Sequence, residues 1–250
     1  MNVLAIGAHP GDVELGAAGT LARHVARGDG VTLLVLTHGK PGDDDTRRAD
    51  EQARAAEVLG ATLLWGDFTA GSLPSGDAAA AAIEDAIRRA EASLVYTHAP
   101  DDALADHRAA STASLGAAHC VSTVLYYETP STLHFQPALF VDVEDALETK
   151  LAVLRTRLLP VTGDGPLDLD AIVAQARFRG SQSRVRHAEA FETARFVWDM
   201  VPETAHDDAV LDALEGGPAA VVNEVLSIER AVRELDAVTA RATRTMADGA

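Results

Sequence analysis

Basic residues are scarce in this chain: 21 Lys and Arg stand against 38 Asp and Glu, a formal net charge of −17. No Lys/Arg block offsets the deficit locally, which argues against a nucleic-acid or anionic-membrane partner. Cysteine is nearly absent. The single Cys120 excludes an internal disulfide, and its place after an Ala-rich helical stretch reads as a small buried thiol rather than a nucleophile. No apolar run approaches the roughly 18 residues of a membrane-spanning helix, and no signal-peptide pattern opens the chain. A soluble, cytoplasmic protein is the expectation.

What is present is a hydrophobic fraction of 47% over 250 residues, enough to bury a sizeable core. Short apolar runs at residues 3–6, 31–36, 62–65, 94–97 and 121–127 alternate with helical patterns near 19–27, 47–59, 78–92 and 107–118. Strands of this kind are buried on both faces of a parallel sheet. The alternation predicts right-handed crossovers and a Rossmann-like, doubly wound α/β fold with a mostly parallel sheet. The expected boundaries are an α/β domain over 1–200 and a C-terminal helical extension over 203–250.

The first strand runs into Ala8-His9-Pro10-Gly11-Asp12-Val13-Glu14-Leu15-Gly16. A strand that ends in a tight Pro-Gly turn and feeds a helix is where an α/β protein gathers polar side chains at the carboxyl edge of its sheet. His9 and Asp12 offer an imidazole and a carboxylate three residues apart, which a sharp turn can aim at one metal ion. The same residues also fit a plain turn with a surface His and an Asp at a helix N-terminus. A second strand end, Thr97-His98-Ala99-Pro100-Asp101-Asp102-Ala103-Leu104-Ala105-Asp106-His107-Arg108, repeats the combination. His107 can complete a His9/Asp12/His107 triplet with open positions for water or substrate, and Asp106 can orient a ligand or act on bound water. Two His and one carboxylate suit zinc, and they also describe the facial triad of non-haem Fe(II). Arg48, in the first turns of the second helix, opposes the helix dipole, and binding an anionic substrate group is one reason for it. A surface ion pair is another.

These segments resemble the PIG-L or LmbE-like family of GlcNAc-phosphatidylinositol de-N-acetylases, which includes deacetylases of bacillithiol and mycothiol biosynthesis. The likeness rests on the first motif, on Ala-Glu-Val-Leu-Gly at 56–60, on Asp106-His107-Arg108-Ala109-Ala110, on Phe140-Val141-Asp142-Val143, and on Arg179-Gly180 with Ala188-Glu189-Ala190-Phe191. It implies a metal-dependent, usually zinc, enzyme that removes acyl groups from amino sugars or their conjugates, with His9, Asp12 and His107 on the metal and Arg48 on the substrate. It also exposes departures. The Asp held to be the family's general base is Gly11 here, the His before the last ligand is Leu104, and a downstream His-x-Ser-Gln element falls at Arg157-Leu158-Leu159-Pro160. Glu14, Asp101, Asp102 and Asp106 are the carboxylates that can stand in, and His38 or His98 the imidazoles.

A general base contributes about 10²- to 10⁴-fold, so losing it weakens the case for turnover without removing the case for metal binding. Three readings therefore stand: an N-deacetylase or amidase acting on a small amino-sugar or natural-product conjugate with a non-standard acid/base set, a metal-binding homologue without turnover, and non-haem iron chemistry. The loop Tyr126 to Pro137 is aromatic and polar, and Tyr127, Glu128 and His134 are its candidates for a substrate wall. From Val221 the residues Val225, Ile228, Val232 and Leu235 step by three and four, a narrow helical seam that can fold back on the core or pair with the same helix of another subunit; the resemblance favours the second, a homo-oligomer.

Overall fold

The computed structural model describes residues 1–39, 45–156 and 167–197, without the side chains of residues 45 and 46. The extension expected over 203–250, its amphipathic seam and the segment 157–160 lie outside the described residues. Among the described residues, seven strands form one sheet in the order β3-β2-β1-β4-β5-β7-β6. The first five, β1 (Asn2–Gly7), β2 (Gly30–Thr37), β3 (Thr62–Phe68), β4 (Leu94–His98) and β5 (Thr123–Tyr127), are parallel, as their apolar runs predict. β7 (Ala188–Arg195) pairs antiparallel with β5, and β6 (Leu139–Asp142) antiparallel with β7.

Helices cover both faces. On one, α1 (Asp12–Ala26) and α2 (Asp45–Leu59) lay Val13, Ala17, Leu21, Ala55 and Leu59 against Val3, Ala5, Val31 and Leu33. On the other, α3 (Asp77–Ala90) and α4 (Ala105–Ala117) lay Ile83, Ala86, Ala110 and Ala113 against Leu4, Ile6, Leu34 and Val95. β1 is thus apolar on both sides, which explains its unbroken Val-Leu-Ala-Ile run. α5 (Leu147–Arg155) and α6 (Leu169–Ser183) form a smaller apolar cluster with Leu15 of α1.

Two expectations need correction. α1 begins at Asp12 rather than near residue 19, because Gly11 takes a left-handed φ of 92° that ends the turn and opens the helix at once. Cys120 is exposed, since it sits in a one-turn 3₁₀ helix at residues 118–120 that carries the chain over the surface after α4.

α1 is also anchored by a buried ion pair. Lys150 Nζ donates to Leu15 O at 2.6 Å and to Glu189 Oε1 at 2.5 Å, while the Glu189 carboxylate accepts the N–H groups of Gly19 and Thr20 at 3.0 and 2.7 Å. Both side chains are buried, so removing one partner leaves the other uncompensated. Lys150→Met is expected to lower the unfolding free energy by about 3–5 kcal/mol, read by urea denaturation. A loss below about 1 kcal/mol, the range of exposed pairs, would show that the pair is solvated.

Candidate metal centre

The strand order turns from leftward to rightward between β1 and β4, and it is at the carboxyl side of such a switch point that doubly wound sheets hold ligands. His9 follows β1 and His107 lies in the first turn of α4 after β4, so the topology brings residues far apart in sequence to one place. Asp12, first residue of α1, joins them: its Oδ2 accepts the His9 backbone N–H at 2.7 Å. The turn itself is clamped by Thr37, whose N–H and hydroxyl both donate to Ala8 O at 3.0 and 2.8 Å.

Each imidazole is fixed from behind by a carboxylate. His9 Nε2 lies 2.9 Å from Asp106 Oδ2, and Asp106 in turn accepts the backbone N–H groups of Gly71 and Leu73 at 2.5 and 3.1 Å. His107 Nδ1 lies 3.1 Å from Asp102 Oδ2. Asp102 also accepts from Leu104 N at 2.9 Å and from the hydroxyls of Thr129 and Thr132 at 3.2 and 3.1 Å. The opposite nitrogens, His9 Nδ1 and His107 Nε2, then stand 3.4 and 3.3 Å from Asp12 Oδ2. His107 Nε2 is buried and makes no hydrogen bond, so it lies beside the carboxylate rather than pointing at it. One atom from each of His9, Asp12 and His107 falls within 4.8 Å of the others.

The electrostatics follow from this crowding. Burial resists charge on His107, but the carboxylates of Asp102 and Asp12 outweigh it and raise its pKa to about 9. His9 is raised in the same way, burial being overcome by Asp12 and Asp106. Burial alone would raise Asp12, yet the close approach of His107, His9 and His98 and their charge hold it well below the usual carboxylate range. Asp102 and Asp106 are lowered too: burial opposes this, while His107 and the Leu104 and Ser131 bonds act on the first, and Gly71, His9 and Leu73 on the second. A buried carboxylate among imidazoles is a donor set on which a divalent cation competes with protons.

His98, Asp102 and His107 form a second close group. Here the rings of His98 and His107 stack, with centroids 4.0 Å and planes 27° apart, so their in-plane lone pairs run side by side and do not converge. The His9 and His107 rings, 5.4 Å and 46° apart, do not share that restriction. His98 is fully buried, burial lowers its pKa, and its Nε2 accepts the Ala8 N–H at 3.0 Å. It braces the motif's turn.

The remaining sequence candidates fall in several places. Glu14 is buried and turned toward α2, where Gln52 Nε2 donates to it at 2.5 Å while Gln52 Oε1 accepts the Gly11 N–H at 3.0 Å. Arg48 lies over Gly39 at the end of β2, where a Cβ would come within 2.8 Å of its Cδ. Tyr127 is no substrate wall. It is fully buried, its hydroxyl donates to Ile6 O at 2.7 Å, and its ring fills the space above Gly16, where a Cβ would sit 2.2 Å away. Glu128 is held by Arg179 through two bonds of 2.7 and 2.6 Å and faces a small cavity shared with Lys150, Ile172 and Glu189, not the histidines. His134 is exposed and lies 2.5 Å from Asp101, on a loop whose neighbour Leu133 donates its N–H to Asp101 O. Leu104, the residue before α4, is 39% exposed.

Sequence reasoning missed the parts supplied by backbone and hydroxyls: Gly71 and Leu73 on Asp106, and Thr129 and Thr132 on Asp102. Nothing local marks them. In the 126–137 loop the aromatic and charged members stand out in sequence, yet it is the threonines that face the site.

Comparison with known proteins bears on the same region. The pattern of the GlcNAc-PI de-N-acetylase (PIG-L) family matches residues 4–118, a span that includes His9, Asp12 and His107. An uncharacterized deacetylase of Escherichia coli K12, YaiS, is 38% identical over 166 residues, covering 62% of this chain and 89% of that one. Diacetylchitobiose deacetylase of Thermococcus kodakarensis is 28% identical over 187 residues, covering 62% and 68%. The crystal structure of the conserved protein TT1542 from Thermus thermophilus matches with a TM-score of 0.70 at 27% identity, over 81% of this chain and 98% of that one.

Proposed function

Because the chain belongs to the GlcNAc-PI de-N-acetylase (PIG-L) family, we propose that it is a metal-dependent hydrolase of the N-deacetylase type, acting on an N-acyl amino sugar or a conjugate of one. The observation that carries this is the donor set. His9 Nδ1, Asp12 and His107 Nε2 gather at one point, each ring is pinned by a carboxylate, and one buried nitrogen has no hydrogen-bond partner. Two imidazoles and a carboxylate fit zinc, with Fe(II) the alternative. Such an ion supplies Lewis acidity toward an acyl oxygen and lowers the pKa of water.

The chain's own residues divide the remaining work. Asp106 keeps the proton on His9 Nε2 and Asp102 keeps it on His107 Nδ1, which leaves the two inner nitrogens as donors. Both aspartates are therefore positioning residues rather than the free bases the sequence offered. Arg48, in α2 and packed beside Gly39 after β2, contacts the substrate. Glu14 is committed to Gln52, so Glu14, Asp102 and Asp106 are all engaged elsewhere than on a reacting water. This favours a slow hydrolase, and it also supports a second reading, a metal-binding homologue without turnover. We further place the protein in the cytoplasm as a homo-oligomer, on the strength of its single cysteine and the helical seam from Val221. Among the described residues no helix is long and apolar enough to cross a membrane.

Elemental analysis of purified protein should find one zinc or iron per chain, lost in His9→Ala. Asp102→Asn and Asp106→Asn should each bind zinc about 10- to 100-fold more weakly, by competition with a chelating dye. Absence of stoichiometric metal in the wild type after zinc and iron supplementation would end both hydrolytic and iron readings. Metal without hydrolysis across a panel of N-acyl amino sugars would select the second reading.

A further inference from the structure

The loop between β5 and β6 contributes a set of hydroxyls to the back of the metal centre. Thr129, Ser131 and Thr132 lie on a strap, residues 129–133, that runs antiparallel to the loop between β4 and α4. Thr132 pairs with Asp102 in an isolated bridge, the Ala103 N–H donates to Ser131 O at 2.9 Å, and the Leu133 N–H donates to Asp101 O at 2.9 Å. Arg108 Nη1 holds the β4–α4 loop from its other side, donating to Ala103 O at 2.9 Å. Backbone bonds therefore fix where the three hydroxyl side chains stand.

Their protons can be assigned one by one. Asp102 is fully buried at the side chain and its carboxylate only accepts, so the hydroxyls of Thr129 and Thr132, 3.2 and 3.1 Å from Oδ2, both donate to it. Thr132 Oγ1 accepts the Thr129 N–H at 2.9 Å in return. Thr129 Oγ1 lies 3.1 Å from Ser131 Oγ, and Ser131 bears on Asp102 as well; both are acceptors for its proton. Ser131 is thus left with lone pairs for His107 Nδ1, 3.3 Å away, and the same nitrogen lies 3.1 Å from Asp102 Oδ2. In a neutral ring this circuit closes in one sense only, with the proton on Nδ1 and the lone pair on Nε2. The reverse would set the Nδ1 lone pair against a buried carboxylate oxygen with no proton between them. The Leu104 N–H, on Oδ1 at 2.9 Å, completes the set, and Asp102 has no freedom to turn away from His107.

We propose that Thr129, Ser131 and Thr132 are positioning residues for the cation site: acting through Asp102, they hold the proton on His107 Nδ1 and so set the affinity of His107 Nε2 for a divalent metal. The proposal rests on the reading of His9, Asp12 and His107 as metal ligands. Zinc affinity of the full-length protein, measured by competition with a chelating dye, tests it in Thr129→Val, Thr132→Val and the double variant, with folding checked by circular dichroism. Each valine should weaken zinc binding about tenfold and the pair up to about 100-fold, the range for lost outer partners of a metal ligand. Thr129→Ser and Thr132→Ser keep the hydroxyls and should bind zinc as the wild type does. In an Asp102→Asn background the valines should lose most of their effect, because residues that act through one partner are not additive. A packing role gives the opposite pattern, losses that serine does not rescue and that add to those of Asp102→Asn. Either of those results, or folded valine variants with wild-type affinity, overturns the proposal. If the valine variants do not fold, Ser131→Ala, which only shortens a half-buried side chain, carries the same test with a smaller loss. A wild type that binds neither zinc nor iron overturns the metal reading and the proposal together, whereas a metal-binding wild type with indifferent valines overturns the proposal alone.

Discussion

Replacing Gly11 by aspartate is expected to raise hydrolysis of an N-acyl amino sugar by about 10²- to 10⁴-fold, the contribution of one positioned general base. Gly11 stands immediately before Asp12 with φ 92° and ψ −9°, where glycine carries no steric penalty. Aspartate is among the few residues that enter this region, at a cost of about 1–2 kcal/mol. That is small against the roughly 5–15 kcal/mol typical of a folded domain. The Gly11 N–H, which donates to Gln52 Oε1 at 3.0 Å, is kept in the variant. Steady-state kinetics of zinc-loaded protein on N-acetylglucosamine and diacetylchitobiose provide the measurement. Gly11→Asn makes the same backbone demand without a base and should stay at the wild-type rate. If the Asp and Asn variants turn over equally, Gly11 is not the place of the lost base.

The metal-free protein is expected to lose stability as pH rises from about 6.5 to about 9. His107 goes from an ordinary value of 6.5 to about 9 in the folded state because Asp102 and Asp12 outweigh its burial. A folded-state pKa above the unfolded one contributes stability that is fully present below about 6.5 and disappears as pH rises through about 9, on the order of 3 kcal/mol for a shift of this size. His9 adds in the same direction. Asp12 acts oppositely: its lowered pKa contributes above the usual carboxylate value and is lost only in acid. Zinc should invert the alkaline limb, since ligand imidazoles bind metal only when deprotonated, and binding near neutral pH should release protons. Urea unfolding at about pH 6, 7.5 and 9, with chelator and with zinc, reads both effects. Equal stability of the chelated protein at the acid and alkaline ends of that range would mean that His107 is not held by its carboxylates.

The parallel half of the sheet is legible in the sequence because its strands are buried on both faces, and two-sided burial demands continuous apolar runs such as Val3 to Ile6. β7, Ala188–Arg195, carries two glutamates and an arginine and has no such run. It is recognisable as a strand only once β5 and β6 are placed on either side of it. In the site, the motif residues can be named in advance since strand-turn-helix chemistry is local: Pro10, Gly11 and Asp12 build the turn from neighbouring positions. The roles of Asp102 and Asp106 cannot. Whether a carboxylate is free or committed depends on partners such as Gly71, Leu73, Thr129 and Thr132, which are backbone or hydroxyl groups 27 to 35 residues away that leave no mark in composition or spacing. Tyr127 shows the same limit from the other side, because an aromatic residue at the end of a strand is read as a wall or as core only when its neighbours are known.

The sequence by itself determined the α/β class, the strand-turn-helix motif and the three candidate ligands, since each depends on short-range patterning or on residue identity; that Gly11 stands where an acid is expected is what the family resemblance implies. The tertiary structure decided which nitrogen of each imidazole faces Asp12 and which faces Asp106 or Asp102, and which acids are committed. Those outcomes depend on directions and distances between segments far apart in the chain, and only packing sets them.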